Sequence, residues 1–214
     1  MKIAKCHRGV SVLAIFLLFA LLSACGAGFQ TAGDVAQGRQ AMFRGDYQGA
    51  LGYFQAAAQN DPNYVYGTEL QAGVLSYVGR TQYLTGDLAQ ARQTLERSLA
   101  QRRGDNVARL YLGLTLARLN DQKRALPQTE AGMKGIRDFL NYITTTFANE
   151  FGQFWDPTQV IRNAIANNLA IIAKGNFDWP TVIANGEDIA MKTEREQDIA
   201  KQNEEQLMEM NRNR

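Results

Sequence analysis

Histidine and cysteine are nearly missing from this sequence, which has one histidine and two cysteines among its 214 residues. His7 and Cys6 stand in the first 24 residues, and the second cysteine is Cys25. From residue 26 onward there is no imidazole or thiol, which excludes catalytic triads, thiol nucleophiles, the common zinc sites and the usual general base. The sequence also lacks a glycine-rich phosphate loop, a metal-ligand cluster and a nucleic-acid motif, so we expect no cofactor and no nucleic-acid partner.

The first 24 residues have the pattern of an export signal. Its positive start consists of Lys2, Lys5 and Arg8. An almost unbroken apolar run follows over Val10–Leu22, which is shorter than the roughly 20 residues of a membrane-spanning helix. The small residues Ser23 and Ala24 then lead into Cys25. This order predicts a cleaved leader over residues 1–24.

Leu22-Ser23-Ala24-Cys25 resembles the lipobox of bacterial lipoprotein precursors. The resemblance implies cleavage before Cys25, a diacylglycerol on its sulfur and an acylated amine. Two or three acyl chains on one residue anchor a protein stably to a membrane. Gly26 stands where an Asp would retain such a lipoprotein in the inner membrane, so the resemblance favours an outer-membrane anchor facing the periplasm. A conventional or uncleaved signal with a stray cysteine is the alternative.

Removing the leader changes the net charge of the chain. The full sequence has 23 basic and 21 acidic residues, and the leader holds three of the basic ones. The remainder therefore carries 20 positive and 21 negative side chains, a net charge of −1. A polyanionic partner is not predicted from this balance.

A glycine–alanine spacing recurs three times along the chain. The same interval separates Gly38 from Ala50, Gly79 from Ala91, and Gly113 from Ala125. A two-residue turn comes before each alanine: Gly45-Asp46, Gly86-Asp87 or Asn120-Asp121. Glycine can adopt the positive φ of such a turn, and the aspartate can cap the helix that follows. The pattern predicts three helical hairpins.

These blocks resemble the tetratricopeptide repeat (TPR), a helix-turn-helix unit of about 34 residues. The resemblance implies that small residues let helix A and helix B cross closely, with Gly38 opposite Ala50. Its large apolar plug would be Phe54, Leu95 or Thr129 in the successive copies. Pro127 is expected to interrupt helix B of the third copy. The first and second copies are further apart than the second and third, so the loop at 63–67 should hold the surplus.

The predicted fold is therefore all-α, a TPR-like solenoid of about three helical hairpins with a degenerate helical cap at the C-terminal end. The predicted divisions are a lipidated tether at 25–33, repeats at 34–133, a helical part with an aromatic cluster and a degenerate hairpin at 134–191, and a polar helical or disordered tail at 192–214. Unrelated amphipathic helices with chance Gly-Asp turns are the alternative.

The region after the repeats has its own helix signals. Asp156-Pro157 predicts a helix start, Gly175 its end, and a further helix should run through Ile189. The aromatic residues in this region are interpreted as core, with a ligand pocket as the alternative for Phe154, Trp155 and Trp179. In the tail only a thin apolar stripe remains, so a solvated extension is favoured over a partner-binding arm. That stripe consists of Ile199, Leu207 and Met210.

The TPR resemblance implies a concave groove lined by helix A side chains. The positions that match it are Arg39, Phe43, Arg80, Tyr83 and Arg118. Arginine grips carboxylates with a planar fork, so the expected partner is an acidic segment of an envelope protein or peptide. Solvated arginines, or arginines paired with acids of a neighbouring helix, are the alternative.

The function expected from these observations is a non-enzymatic scaffold or adaptor in envelope assembly or secretion. The competing hypothesis is an envelope enzyme or enzyme subunit that uses carboxylates of the aromatic half. Those carboxylates are Glu150, Asp156 and Asp178.

Overall fold

The computed structural model describes residues 28–212, which are mostly helical. The elements in chain order are α1 (28–43), α2 (Tyr47–Asn60), β1 (Val65–Tyr66), β2 (Ala72–Gly73), α3 (Val74–Leu84), α4 (Leu88–Gln101), α5 (Asn106–Arg118), α6 (Gln122–Thr146), a 3-10 turn (Phe151–Phe154), α7 (Val160–Ala173) and α8 (Trp179–Arg212). The expectation of an all-α chain is confirmed. The predicted leader and Cys25 lie outside the described residues. Between residues 28 and 212, no helix is long and apolar enough to cross a bilayer.

The three predicted turns are present, joining α1 to α2, α3 to α4, and α5 to α6. Their first residues have positive φ: 81° at Gly45, 90° at Gly86 and 62° at Asn120. The following aspartates, Asp46, Asp87 and Asp121, each accept a hydrogen bond from the backbone N–H three residues further on. Each turn thus starts its second helix with a satisfied N-terminus.

The glycines of the repeated pattern lie at close contacts between paired helices. A Cβ on Gly38 would lie 2.6 Å from the Phe54 ring, and a Cβ on Gly79 would lie 2.7 Å from Leu95 Cγ. Gly113 meets Thr129 in the same way. The interval from glycine to partner is the same in every pair, so each glycine packs on the predicted plug position. The expected partner Ala50 is buried one helical turn earlier.

The structure tests two expectations about the hairpins, one on the extra residues between copies one and two and one on Pro127. The surplus between copies one and two forms an antiparallel β-hairpin, in which Val65 pairs with Gly73 and Tyr66 with Ala72. The expectation that Pro127 interrupts its helix is wrong, because α6 runs through it to Thr146. Pro127 is exposed. We attribute its tolerance to this position, where water can hydrogen-bond the backbone carbonyl that proline leaves without a partner.

The C-terminal half packs on the third hairpin. Helix α7 starts at Val160, three residues after the predicted start, because Asp156 adopts a φ of 43° and its side chain caps the helix from a distance. It ends before Gly175, which has a φ of 77°. Trp155 is buried and packs edge-on against Phe139, as expected for core.

Helix α8 then runs unbroken from Trp179 to Arg212. The predicted boundary at residue 192 falls inside it, and side chains as far as Ala200 are buried. Only beyond this point does the description of a solvated extension apply. The large apolar residues Ile199, Met208 and Met210 are about half exposed, so the buried side of α8 is a different one.

Candidate protein-binding face

Helices α1, α3 and α5, the first members of the three hairpins, present the residues that the sequence assigned to a groove. We call the face that carries Arg39, Arg80 and Arg118 the A-helix face. Helix α8 lies against it: side chains of α8 bond to α1 and α3, and Gly186 packs on Leu114 of α5. The predicted groove residues are therefore brought to one side of the molecule, where the chain's own helix covers Arg39, Arg80 and Tyr83 and leaves Arg118 exposed.

Glu194 of α8 is the centre of the contact. Its Oε2 accepts a 2.7 Å hydrogen bond from Nη2 of Arg80. Its Oε1 accepts a 2.7 Å bond from the Tyr77 hydroxyl and also contacts Nη1 of Arg39. Arg39 in turn donates to the Tyr77 hydroxyl at 2.8 Å. One carboxylate is thus shared by two guanidinium groups and a phenol.

These charges are taken out of water almost completely. Arg39, Arg80 and Glu194 keep 3%, 1% and 1% of their side-chain exposure. Charged groups with so little exposure are stable only when they are paired, and loss of one partner leaves an uncompensated charge. The contact between α8 and the A-helix face therefore depends on matched charge.

Asp198 extends the same contact by one helical turn. Its Oδ1 accepts a 2.7 Å hydrogen bond from Nη2 of Arg39, and the Tyr66 hydroxyl lies 3.5 Å from the same oxygen. The Arg39 guanidinium also lies 4.3 Å from the centre of the Tyr66 ring. Burial alone lowers the pKa of Arg39, but Tyr77, Asp198 and Tyr66 outweigh it, and the pKa is raised. Arg39 stays charged in the fold.

The second end of the face holds Tyr83 and Arg118. The Tyr83 hydroxyl donates to Glu187 of α8, and burial together with this bond raises the pKa of Tyr83. Arg118 is exposed, lies 4.7 Å from the Tyr83 ring centre, and donates to the Tyr83 carbonyl at 3.3 Å. Phe43 is half-buried at the other end, with the Arg39 and Arg195 guanidinium groups 5.3 and 5.7 Å from its ring centre.

No protein-family model, no curated protein and no solved structure matches this chain. The geometry of the site is therefore the basis for any functional conclusion.

Sequence reasoning missed the carboxylate partners on α8. Glu187, Glu194 and Asp198 follow each other at intervals of seven and four residues, a spacing that places them on one side of a helix. The remaining buried positions of α8 are mostly small or uncharged polar ones, so counting large apolar residues did not reveal the buried side. These positions are Val182, Gly186, Ile189, Ala190, Thr193, Gln197 and Ala200.

Two of the three carboxylates of the enzyme hypothesis, Asp156 and Asp178, accept hydrogen bonds from backbone N–H groups. Asp156 accepts hydrogen bonds from the N–H groups of Ile161 and Arg162 at 2.9 and 3.1 Å, and from Arg162 Nε at 3.0 Å. Asp178 caps α8 through the Thr181 N–H at 2.8 Å, which lowers the pKa of its carboxyl. Glu150 is exposed. Asp156 and Asp178 thus act as helix caps in this fold.

Glu196 is a further carboxylate that sequence reasoning did not single out. Its Oε1 accepts the Asp156 N–H at 2.5 Å. Burial raises the pKa of the Glu196 carboxyl; the bond from the Asp156 N–H opposes this shift, and the charge of the Asp156 carboxylate adds to it. Among residues 28–212, no group of three or more acidic, histidine or cysteine side chains is placed to hold a metal ion.

Proposed function

We propose that this protein is a lipid-anchored interaction module of the bacterial cell envelope, with TPR-like hairpins that recognise an acidic segment of a partner protein. The observation that carries the proposal is the A-helix face, where arginines of two hairpins and their neighbouring aromatic residues grip the carboxylates of a helix. Arginine, tyrosine and tryptophan are enriched among the residues that contribute most to binding at protein interfaces. The role we assign is that of a scaffold or adaptor in envelope assembly or secretion.

Three features support the TPR-like part of the proposal. Each hairpin has a Gly-Asp or Asn-Asp turn, and each has a glycine in close contact with the plug residue of its second helix. The hairpins also stack in sequence, because α2 packs on α3 and α4 on α5. A stack of this kind exposes a long surface of first helices, which repeat proteins commonly use for binding.

The proposed membrane anchor depends on acylation of Cys25. We expect labelled palmitate to enter the native chain and not a Cys25→Ser variant, which should be released from membranes because it lacks acyl chains. Label retained by the variant, or a mature N-terminus at another residue, would remove the anchor from the proposal.

A photo-reactive amino acid tests the binding function in the source cells. Arg118 is exposed at the edge of the A-helix face, and Gln93 is an exposed control on α4. We expect a discrete adduct with an envelope protein from position 118 and none from position 93. Adducts from neither position, or equally from both, would contradict the assignment of this face.

A further inference from the structure

The side of α8 that meets the A-helix face differs from an ordinary core helix. Gly186 packs on Leu114 of α5 and Glu194 pairs with Arg80 of α3, while the buried residues of α8 also include the apolar Val182 and Ile189. Interfaces that must open and close are generally more polar than permanent cores. A buried charged contact also adds specificity more readily than stability. A side with a buried carboxylate at its centre therefore has the character of an interface that can open.

Three carboxylates of α8 accept hydrogen bonds from donors on the A-helix face, and Glu194 also contacts Arg39. Glu187 receives Tyr83, Glu194 receives Tyr77 and Arg80, and Asp198 receives Arg39. The register is fixed by the seven- and four-residue intervals between the carboxylates. A helix with carboxylates at other intervals could not meet all three groups of donors.

Glu194 accepts a hydrogen bond from only one nitrogen of the Arg80 guanidinium. Arg80 is buried and donates from Nη2 to Glu194, while its Nε and Nη1 are buried without an acceptor in hydrogen-bond geometry. The rings of Tyr77 and Tyr111 flank the guanidinium, with centres 4.8 and 5.4 Å away. An unsatisfied buried donor is unfavourable, and more so for a charged group. The Tyr111 hydroxyl and the buried Asp105 carboxyl also interact with Arg80, which lowers the pKa of each against the larger raising effect of burial.

We propose that α8 is a resident ligand of the A-helix face, and that the partner supplies an acidic helix of the same pattern which displaces residues 187–198. This inference rests on the proposed function and specifies its partner: a helix with small residues on one side and carboxylates at intervals of seven and four. Because α8 is tethered, it competes at a high effective concentration, and the partner binds only the fraction of molecules in which α8 is detached.

A peptide binding experiment tests the displacement directly. The probe is a fluorescent peptide of residues 179–205, and the protein is the whole chain from residue 25 onward with Cys25→Ser. A Glu194→Gln substitution in the protein weakens its own α8 while the peptide keeps Glu194. We expect the peptide to bind this variant at least about tenfold more tightly than it binds the unsubstituted protein. A peptide that itself carries Glu194→Gln should bind the variant weakly.

The matched control is Asp188→Asn in the protein. Asp188 belongs to the same helix but is 52% exposed, where it pairs with Lys192. Its loss should leave peptide affinity within about twofold of the unsubstituted value, since exposed ion pairs contribute little. Equal affinity for the Glu194→Gln and Asp188→Asn proteins, both folded by circular dichroism, would overturn the proposal.

Hydrogen exchange on the unsubstituted chain keeps the test decisive if Glu194→Gln does not fold. Amides of residues 187–200 should exchange through an opening that leaves those of α5 protected. If α8 exchanges only together with α5, it is a fixed core helix and the proposal fails. If position 118 gives adducts but α8 does not open, the proposed function remains and the displacement of α8 is ruled out. Peptide binding without such adducts would instead remove the proposed function.

Discussion

The interiors of the helical hairpins and the interface between α8 and the A-helix face are both buried, but their chemistry is opposite. Inside the hairpins, Gly38 accommodates the Phe54 ring and Gly79 accommodates Leu95, so close packing of apolar groups holds the helices together. Across the α8 interface, Arg80 and Arg39 share Glu194. Inside the hairpins, the shape of the side chains determines which helices pack together. At the α8 interface, the match of charges determines it.

That difference has an energetic side. A hairpin contact gains from area removed from water and from van der Waals contact, which any substitution of altered volume disturbs. The α8 contact has a charged centre, where the gain depends on the pairing of groups that are costly to bury alone. The two regions should therefore respond to different substitutions.

The largest effect should come from the charged interface. Glu194→Gln keeps the side-chain shape but leaves the buried Arg80 guanidinium without its carboxylate, and we expect a loss of about 3–5 kcal/mol in the free energy of unfolding. Urea denaturation measures it. Asp188→Asn on the exposed side of α8 should lose less than about 1 kcal/mol. Equal losses for the two variants would mean that the buried cluster contributes no more than a surface pair.

Overpacking a hairpin interior should rank second. Gly79→Leu places a side chain against Leu95, where even a Cβ would lie 2.7 Å from Cγ and 3.2 Å from the backbone nitrogen. We expect a loss of about 1–3 kcal/mol, read as a lower Tm. The same change at exposed Gln93 is the control. Should both proteins melt together, α3 and α4 do not meet at this glycine.

Loss of a helix cap at a hairpin turn should give the smallest effect. Asp46 caps α2 through a 2.9 Å bond from the Gly49 N–H, and Asp46→Ala should cost about 1 kcal/mol. Asp138, an exposed aspartate in the middle of α6, is the matched control, and its alanine variant should be close to neutral. A loss at Asp138 as large as that at Asp46 would show that capping is not the cause.

The helical hairpins could be predicted because the sequence signals for their turns and helix caps are local. Gly45, Gly86 and Asn120 have the positive φ that their turns require, and the aspartates after them cap helices in the way that their sequence positions indicate. The helix pairing was correct, but the contact opposite Gly38 is Phe54, because a ring fills the space that glycine leaves. Whether this stack is a true TPR solenoid stays a prediction.

The α8 interface could be predicted only in part. An arginine in each hairpin indicated a surface for carboxylates, and Arg39 and Arg80 do bind them. The source of the carboxylates was not foreseen, because Glu194 lies far from Arg39 along the chain and its helix lacks a broad apolar stripe. Pairing over such a distance depends on tertiary packing, which no local pattern encodes.

A double-mutant cycle between Arg80 and Glu194 measures whether their ion pair holds α8 against the A-helix face. We expect Arg80→Met and Glu194→Gln each to destabilise the chain, and the double variant to lose less than the sum of the two, by about 2–3 kcal/mol, because the Arg80 guanidinium is then no longer buried without its carboxylate. Arg39 loses its contact with Glu194 in the Glu194→Gln and the double variant alike, so that loss cancels in the cycle. Equilibrium urea unfolding of the four proteins supplies the values. Losses that add to within about 0.5 kcal/mol would show that the two side chains are not coupled and that their ion pair does not hold α8 against the A-helix face.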